Sequence, residues 1–302
     1  MYIKFIKYKK VFYGFSIVLV VLAVASIAVF GLKPGIEFSG GSSLELTFEE
    51  QAPFFDEIRT SLQTLDLGEV SIQKTSGNGV ILKMKFIDEE THQKVLKELN
   101  TIGKVQQGSE GFQVIGPVIG EELKQKTKIV VILALISILI YIAFSFRKIA
   151  RPVNSWVYGM AGLIALFHDV LIPLGVFAVL GKFYGIEVTI PIITAFLTVF
   201  GYSINDSVVV FDRVRENLLK TRELDFSLVV EKSLNETLTR SINTSFTTLL
   251  ALFAILFLGG ESLKYFSFSL ILGIGLGTYS SLFLATPLLT TFLWIKDRKR
   301  RG

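Results

Sequence analysis

Cysteine is absent from this 302-residue sequence. The absence excludes disulfide frameworks, thiolate metal sites and cysteine nucleophiles. The polar region between the first two apolar runs also lacks a metal-ligand cluster and any nucleophile paired with a base. We therefore predict no metal, no cofactor and no catalytic residue, and we expect the chain not to be an enzyme.

Apolar residues are in excess. They make up 51% of the sequence, which includes 26 Phe and has a mean hydropathy of +0.56. This is more than a soluble domain needs for its core, so part of the chain must face lipid. The net charge of +5 would suggest a nucleic-acid partner in a soluble chain. Here Lys and Arg lie in short runs beside apolar stretches, so the charge is a topology signal and no nucleic-acid partner is predicted.

Six apolar runs are long enough to cross a bilayer, which needs about 20 residues in a helix. They cover 11–31, 127–146, 156–181, 188–211, 239–259 and 265–295. The first run follows several Lys, as in a cleavable signal peptide, but its length favours an uncleaved anchor. We predict a first segment (1–31), a five-helix bundle (127–295) and a basic tail (296–302).

The positive charges fall beside alternate ends of these runs. The basic residues near the first, third, fifth and last connections are Lys4, Lys7, Lys9, Lys10, Arg147, Lys148, Arg151, Arg213, Arg215, Lys220, Arg222, Lys296, Arg298, Lys299, Arg300 and Arg301. The two short connections, between the third and fourth runs and between the fifth and sixth, hold only Lys182 and Lys264. Because Lys and Arg accumulate on the cytoplasmic side, both termini are predicted to be cytoplasmic and residues 32–126 to lie outside.

Residues 32–126 have the pattern of a folded water-soluble domain. Alternating apolar residues predict strands at 43–48, 70–74, 80–86 and 111–115, and amphipathic periodicity predicts helices at 53–65 and 88–102. The first helix would direct Phe54, Phe55, Ile58, Leu62 and Leu65 inward, and the second Val95, Leu96, Leu99 and Ile102. A Gly-Asn-Gly turn at 77–79 predicts a hairpin. The order β-α-β-β-α-β is ferredoxin-like, a fold that does not specify a function.

The two histidines lie in different settings. His92 is predicted to be a surface residue on the polar face of its helix. His168 and Asp169 lie near the middle of the third run, where an ionisable group costs roughly 3 kcal/mol or more. They either lock helices together through a polar contact or take part in proton movement.

Two further intramembrane sites carry charge. Asn205 and Asp206 lie about 7 Å from the centre of the fourth run toward the cytoplasm, by helical rise. Arg240 begins the fifth run at a similar depth, either as an interfacial side chain or as a functional one. It opens a polar stripe at helical spacing that continues through Asn243, Thr244, Thr247 and Thr248. Such a stripe must face other helices or water.

Small residues recur every four positions in the last run, at Gly273, Gly277, Ser281 and Ala285. Such a ridge lets another helix approach closely. Whether that helix belongs to this chain or to a partner is left open by the sequence.

Several motifs together resemble the SecF family of protein-export membrane proteins. The most specific are PIITAFLTVFGYSINDSVVVFDRVREN (191–217) and LNETLTRSINTS (234–245). GIEFSGG (35–41), GPVIG (116–120) and FHDV (167–170) agree in order, so the resemblance spans nearly the whole chain. Glu37 stands where the family usually has Asp, and Ser39 where Thr is usual. Both departures keep the chemistry.

The resemblance implies an accessory subunit of the Sec translocon in the bacterial cytoplasmic membrane. It would act with a SecD partner and the SecYEG translocon on translocating preproteins, driven by the proton-motive force, and would be kin to resistance-nodulation-division transporters. It implies proton coupling by Asp206 and Arg240. The free-energy cost of placing a charge inside a membrane selects the same two positions. The motif positions expected to be structural are Gly35, Glu37, Gly40, Gly41, Gly116, Pro117 and Gly120.

Two other functions are considered. Asp169 and Asp206 could form an intramembrane aspartyl dyad, but their different depths count against oxygens about 3 Å apart. The chain could also be a proton-coupled small-molecule exporter. With six spans and one soluble insertion it has half of that architecture, so it would need a partner half.

Overall fold

The computed structural model describes residues 2–75, 77–147, 153–220 and 225–301. The topology prediction also used Lys148, Arg151 and Arg222, which lie outside the described residues. The described residues form two compact units, one from 1–31, 130–179 and 191–302 and the other from 32–129 and 180–190.

The elements follow in chain order. They are α1 (Phe5–Phe30), α2 (Ile36–Ser39), β1 (Gly41–Thr47), α3 (Phe55–Ser61), β2 (Ser71–Lys74), β3 (Gly79–Met84), α4 (Glu89–Ile102), β4 (Gly111–Ile115), α5 (Pro117–Ser145), α6 (Ser155–Tyr184), α7 (Ile190–Lys220), α8 (Phe226–Leu258), α9 (Glu261–Ser280), a π-turn (Ser281–Ala285) and α10 (Thr286–Arg301).

Six membrane-length apolar helices are present in the described part of the chain, as the hydropathy pattern predicts. Several are longer than the predicted runs: α5 begins at Pro117, ten residues before the apolar run, and α8 begins at Phe226. Hydropathy locates only the apolar part of a helix. The polar residues before an apolar run continue the helix, because their backbone hydrogen bonds still form. At the start of α8, the Asp225 side chain accepts a hydrogen bond from the Ser227 N–H.

The last predicted span is interrupted within the apolar run. α9 ends at Ser280 and the π-turn continues into α10, with the Thr286 N–H donating to the Ser281 carbonyl. Pro287 follows one residue later and has no N–H to donate back into the preceding turn. A π-turn inserts one residue into the helical ladder and changes which side chains face inward.

The second unit contains a four-stranded sheet in the order β2-β3-β1-β4, with every neighbouring pair antiparallel. Its core includes Leu44, Leu46, Val80 and Leu82 from the sheet and Ile58, Val95 and Leu99 from the helices. The three helix residues were predicted to face inward. The predicted order of strands and helices and the β2–β3 hairpin are confirmed. The finer assignment of a ferredoxin-like fold stays a prediction.

Two inward positions predicted for α3 are wrong. Phe54 is 75% exposed and Phe55 is 42% exposed. The helix begins only at Phe55, with Phe54 in the extended N-cap position, so Phe54 lies outside the helical face that buries Ile58 and Leu62. Phe55 shares that face by spacing but lies at the first helical position, where it is only partly covered.

The surface prediction for His92 is also wrong. The residue is 5% exposed, and its ring stacks on that of Phe112 in β4, with centroids 3.7 Å apart and planes 5° apart. Its Nδ1 lies 3.1 Å from a carboxylate oxygen of Glu89. Hydrogen bonds from Gln93 and then His92 hold the pKa of Glu89 below its ordinary value.

The two glycine motifs pack against each other. Gly40 has a φ of +71°, and a Cβ there would lie 2.9 Å from Pro117 Cα. A Cβ on Gly120 would lie 2.9 Å from the Gly40 nitrogen. Only glycine permits this approach, so the motif after α1 and the motif that opens α5 form one tight joint.

Gly35 and Gly41 have separate contacts. The Gly35 N–H donates to the Val188 carbonyl at 2.9 Å. A Cβ on Gly41 would lie 2.8 Å from the Met84 carbonyl oxygen. Glu37 lies in the short helix α2, and Gly116 leads from β4 into α5. These approaches fit the structural role expected of Gly35, Gly40, Gly41 and Gly120, whereas a Cβ on Gly116 would meet nothing within 4 Å.

Candidate functional site

Two carboxylates lie buried among the long helices, and each is held by serine hydroxyls from other helices. Asp169 on α6 is fully buried and accepts hydrogen bonds from Ser203 Oγ (2.5 Å) and Ser280 Oγ (2.7 Å). His168 Nδ1 lies 2.9 Å from the other oxygen of Asp169. The arrangement brings α6, α7 and the end of α9 to one point.

Asp206 on α7 is 9% exposed and has the same kind of partners. It accepts from Ser241 Oγ of α8 at 2.7 Å and from Ser281 Oγ of the π-turn at 2.5 Å. The four serines were not predicted as carboxylate partners, and Ser281 was assigned only to helix packing. They come from distant segments, so sequence spacing could not pair them with the carboxylates.

Ser280 and Ser281 are neighbours in the chain and serve different carboxylates. They lie where α9 passes into the π-turn, the point at which the helix changes its register. Each hydroxyl also lies near a carbonyl of its own helix: Ser280 Oγ is 3.2 Å from the Gly277 oxygen and Ser281 Oγ is 3.1 Å from the Thr278 oxygen. A hydroxyl has one hydrogen, so each serine can donate either to its carboxylate or to its helix.

The described residues place no Lys or Arg within ion-pair distance of Asp169 or Asp206. Serine hydroxyls satisfy carboxylate lone pairs without supplying a positive charge. A buried carboxylate that lacks a cation is costly, and binding a proton removes that charge. The pair of carboxylates is therefore suited chemically to taking up and releasing protons.

Arg240 is close enough to influence Asp206 electrostatically but does not contact it at ion-pair distance in the described structure. Its side chain is exposed on this chain, whereas the next residue, Ser241, faces inward to Asp206. The same outward face carries Asn243, Thr244 and Thr247. Thr248 of the predicted polar stripe accepts a hydrogen bond from Tyr202 of α7 at 3.4 Å. The rest of the stripe is not covered by the described helices of this chain.

A second polar stripe on α8 faces inward. It comprises Ser233, Thr237, Ser241 and Ser245 at four-residue spacing, all nearly fully buried. This stripe was not predicted from the sequence, because a row of small hydroxyl side chains resembles an ordinary helix surface. Asn205 also lies on an exposed face of α7, directed away from its neighbour Asp206.

The small-residue ridge packs within this chain. A Cβ on Gly273 would lie 2.2 Å from Val199 Cγ2, and one on Gly277 would lie 3.1 Å from Ser203 Cβ. Val199 and Ser203 are also four residues apart, on α7. The ridge therefore lets α9 approach α7, which answers the question that the sequence left open and removes the ridge as evidence for a partner surface.

Matches to known families cover most of the sequence. A model described as "Protein export membrane protein SecD/SecF, C-terminal" matches residues 94–294, and one described as "SecD/SecF GG Motif" matches residues 25–52. Protein translocase subunit SecF of Thermobaculum terrenum is 36% identical over 96% of this chain and 94% of its own length. The chain belongs to the SecF family. The SecF subunit of Synechocystis is 37% identical over 89% of this chain and 84% of its own length.

Solved structures extend the SecF likeness to three dimensions. The crystal structure of SecDF from Thermus thermophilus, described as a translocon-associated membrane protein, matches 97% of this chain with a TM-score of 0.85 and 32% identity. A SecDF structure in a super-membrane-facing form matches 100% with a TM-score of 0.69 and 30% identity. The chain spans about two fifths of those SecDF chains (39% and 40%).

Membership of the SecF family makes the chain a multi-pass membrane subunit of the protein-export machinery and not an enzyme. It does not favour the small-molecule exporter. The aspartyl-dyad alternative also lacks geometric support, because each described carboxylate has its own serine partners and no hydrogen bond joins Asp169 to Asp206.

Proposed function

We propose that this SecF-family chain uses the proton-motive force to assist preprotein translocation, with Asp206 as the group that binds and releases the proton. The observation that carries the proposal is the setting of Asp206, a buried carboxylate held by hydroxyls from α8 and the π-turn. Protonation removes the negative charge that both hydroxyls hydrogen-bond to, and Ser281 can then turn to the Thr278 carbonyl, so the proton can alter how α8 and the π-turn are held.

Arg240 is the proposed counter-charge. It cannot release a proton at ordinary pH, so it acts by position and not by titration. Its neighbour Ser241 donates to Asp206, so a small rotation of α8 changes both the hydrogen bond and the distance of the positive charge. The site therefore has two arrangements, which differ in the hydrogen bond from Ser241 to Asp206 and in the distance of the Arg240 charge from Asp206.

The energy available is sufficient to bias such a site. Moving one charge through the full membrane potential is worth about 2.3 kcal/mol per 100 mV. A two-state helix bundle biased by that amount changes its populations by well over tenfold. This change in population would be passed to residues 32–126. We place these residues outside the cytoplasm and both termini inside.

A SecD-type membrane protein is the proposed partner. The chain matches only about two fifths of the SecDF chains. The described helices of this chain leave uncovered the polar face of α8 that carries Arg240, Asn243, Thr244 and Thr247. Amides and a guanidinium need polar partners inside a membrane. We place the complex beside the SecYEG translocon in the bacterial cytoplasmic membrane, in contact with lipid and with emerging preproteins.

The deciding experiment measures preprotein translocation into vesicles with the potential present and after its collapse by an ionophore. Asp206→Asn keeps the shape and can still accept from Ser241, but removes the titrating proton. We expect it to assemble normally and to lose the stimulation by the potential. Asp212→Asn is the matched control, since this carboxylate is on the same helix and exposed, paired with Arg215. A wild-type response in assembled Asp206→Asn would refute the assignment.

A further inference from the structure

His168 is buried with one ring nitrogen unused. The residue is 3% exposed, its Nδ1 is bonded to Asp169, and its Nε2 is buried without a hydrogen-bond partner among the described residues. Its ring stacks near that of Tyr279 on α9, with centroids 5.9 Å apart.

The chemistry of this pair is well defined. When Nδ1–H donates to a carboxylate, Nε2 is the nitrogen that gains or loses a proton. Proton uptake at Nε2 converts the imidazole to an imidazolium, and the Asp169 carboxylate beside it supplies the opposite charge. Ser203 and Ser280 hold that carboxylate from two other helices, so it is in position before the proton arrives.

The other groups around His168 are limited. In the described contacts, the titratable or charged groups that face it are Asp169 on its own helix and Tyr279 on α9, whose hydroxyl contacts Ser16 of α1. Asp206 on α7 interacts electrostatically with Asp169, and Arg240 on α8 with Asp206. The pair is therefore linked to the Asp206 site by charge.

A second link is mechanical. Ser280 donates to Asp169 and Ser281 to Asp206, and the two serines are consecutive. Because the two residues are adjacent, a change in the helix backbone at one of them also moves the hydroxyl of the other. The two carboxylates thus depend on one short segment at the junction of α9 and the π-turn.

We propose that His168 and Asp169 form a second proton-binding site, coupled to Asp206 through Ser280 and Ser281. The inference rests on the proposed function and adds to it: the bundle then has two proton-binding positions whose occupancies depend on each other. The proton is bound at His168 Nε2 and neutralised by Asp169, and at Asp206 it is bound by the carboxyl itself.

The test uses the imidazole signals directly. The chain has only two histidines, so ¹⁵N-histidine labelling of the full chain in lipid bilayers gives two sets of ring signals, and His92→Gln identifies which belongs to His168. Spectra recorded from about pH 9 to about pH 5 should contain both the neutral and the doubly protonated His168 ring. In Asp206→Asn the pH dependence of the His168 signals should differ from that of the wild type, because coupled sites do not bind protons independently.

Either of two results overturns the proposal: a His168 ring that keeps one form throughout that range, or a titration that is the same in wild type and Asp206→Asn. Ser280→Ala tests the link separately, since it keeps both titrating groups and should also change the pH dependence of the His168 signals. The translocation assay distinguishes the two proposals. If Asp206→Asn loses its response to the potential while His168 does not titrate, the proposed function stands and this inference fails.

Discussion

Glu187, in the loop between α6 and α7, accepts a hydrogen bond from Lys83 Nζ of β3 at 2.7 Å. The Glu187 side chain is only 6% exposed, and Lys33 lies 3.7 Å from its other oxygen. In the same loop, Gly185 accepts from the Gln73 amide and Val188 from the Gly35 N–H. The loop that joins the two helices carrying Asp169 and Asp206 is thereby fixed to the sheet of the second unit.

The first prediction concerns this ion pair. Lys83→Met leaves a buried carboxylate with only the more distant Lys33, so we expect a loss of about 1–3 kcal/mol in unfolding free energy, seen as a lower thermal midpoint. Lys85→Met is the control, because Lys85 pairs with the exposed Asp66 and such pairs contribute about 0–1 kcal/mol. The double exchange Lys83→Glu with Glu187→Lys should recover part of the loss. Equal midpoints for Lys83→Met and Lys85→Met would contradict the prediction.

The second prediction tests the contact between α9 and α7. Gly273→Ala places a Cβ 2.2 Å from Val199 Cγ2, so the helices must separate or Val199 must shift. Overpacking of this kind costs about 1–3 kcal/mol. Gly275→Ala is matched on the same helix and meets nothing within 4 Å. We expect the thermal midpoint to fall only in Gly273→Ala. If both variants behave alike, the ridge does not pack on α7 as described.

Membrane topology supplies the third prediction. Because the sequence has no Cys, a single introduced Cys is the only site for a thiol reagent. Lys97→Cys, on the exposed face of α4, should react with an impermeant reagent in intact cells, and Lys220→Cys, at the end of α7, should react only after the membrane is opened. The reverse pattern would invert the orientation.

Much of the architecture could be predicted because it depends on local patterns. Apolar runs of membrane length and the alternation of strands and helices are properties of consecutive residues, and both were found where expected. The cost of charge in a membrane singled out Asp169 and Asp206 without any structure.

The partners of those carboxylates could not be predicted in the same way. Ser203, Ser241, Ser280 and Ser281 come from three helices and a π-turn, and only the packing of those helices brings the hydroxyls to the carboxylates. The outward position of Arg240 could not be predicted either, because it too depends on how the helices pack. Helical spacing places it one residue from Ser241 but does not say which of the two faces this chain's own bundle.

The last prediction separates the Asp206 hydrogen bonds from ordinary helix packing. Ser241 and Ser245 are both buried on the inner face of α8, four residues apart. Ser241 donates to Asp206 at 2.7 Å, whereas Ser245 accepts from Thr278 at 2.5 Å. Replacing either by Ala removes one buried hydrogen bond, worth about 1 kcal/mol, so the two variants should lose similar amounts of stability. Only Ser241→Ala should change the translocation response to the potential, because only that hydroxyl contacts the proposed proton-binding group. The same vesicle assay, with the potential present and collapsed, measures the difference. An equal response in the two variants would mean that the hydroxyl at 241 supports packing and has no part in proton coupling.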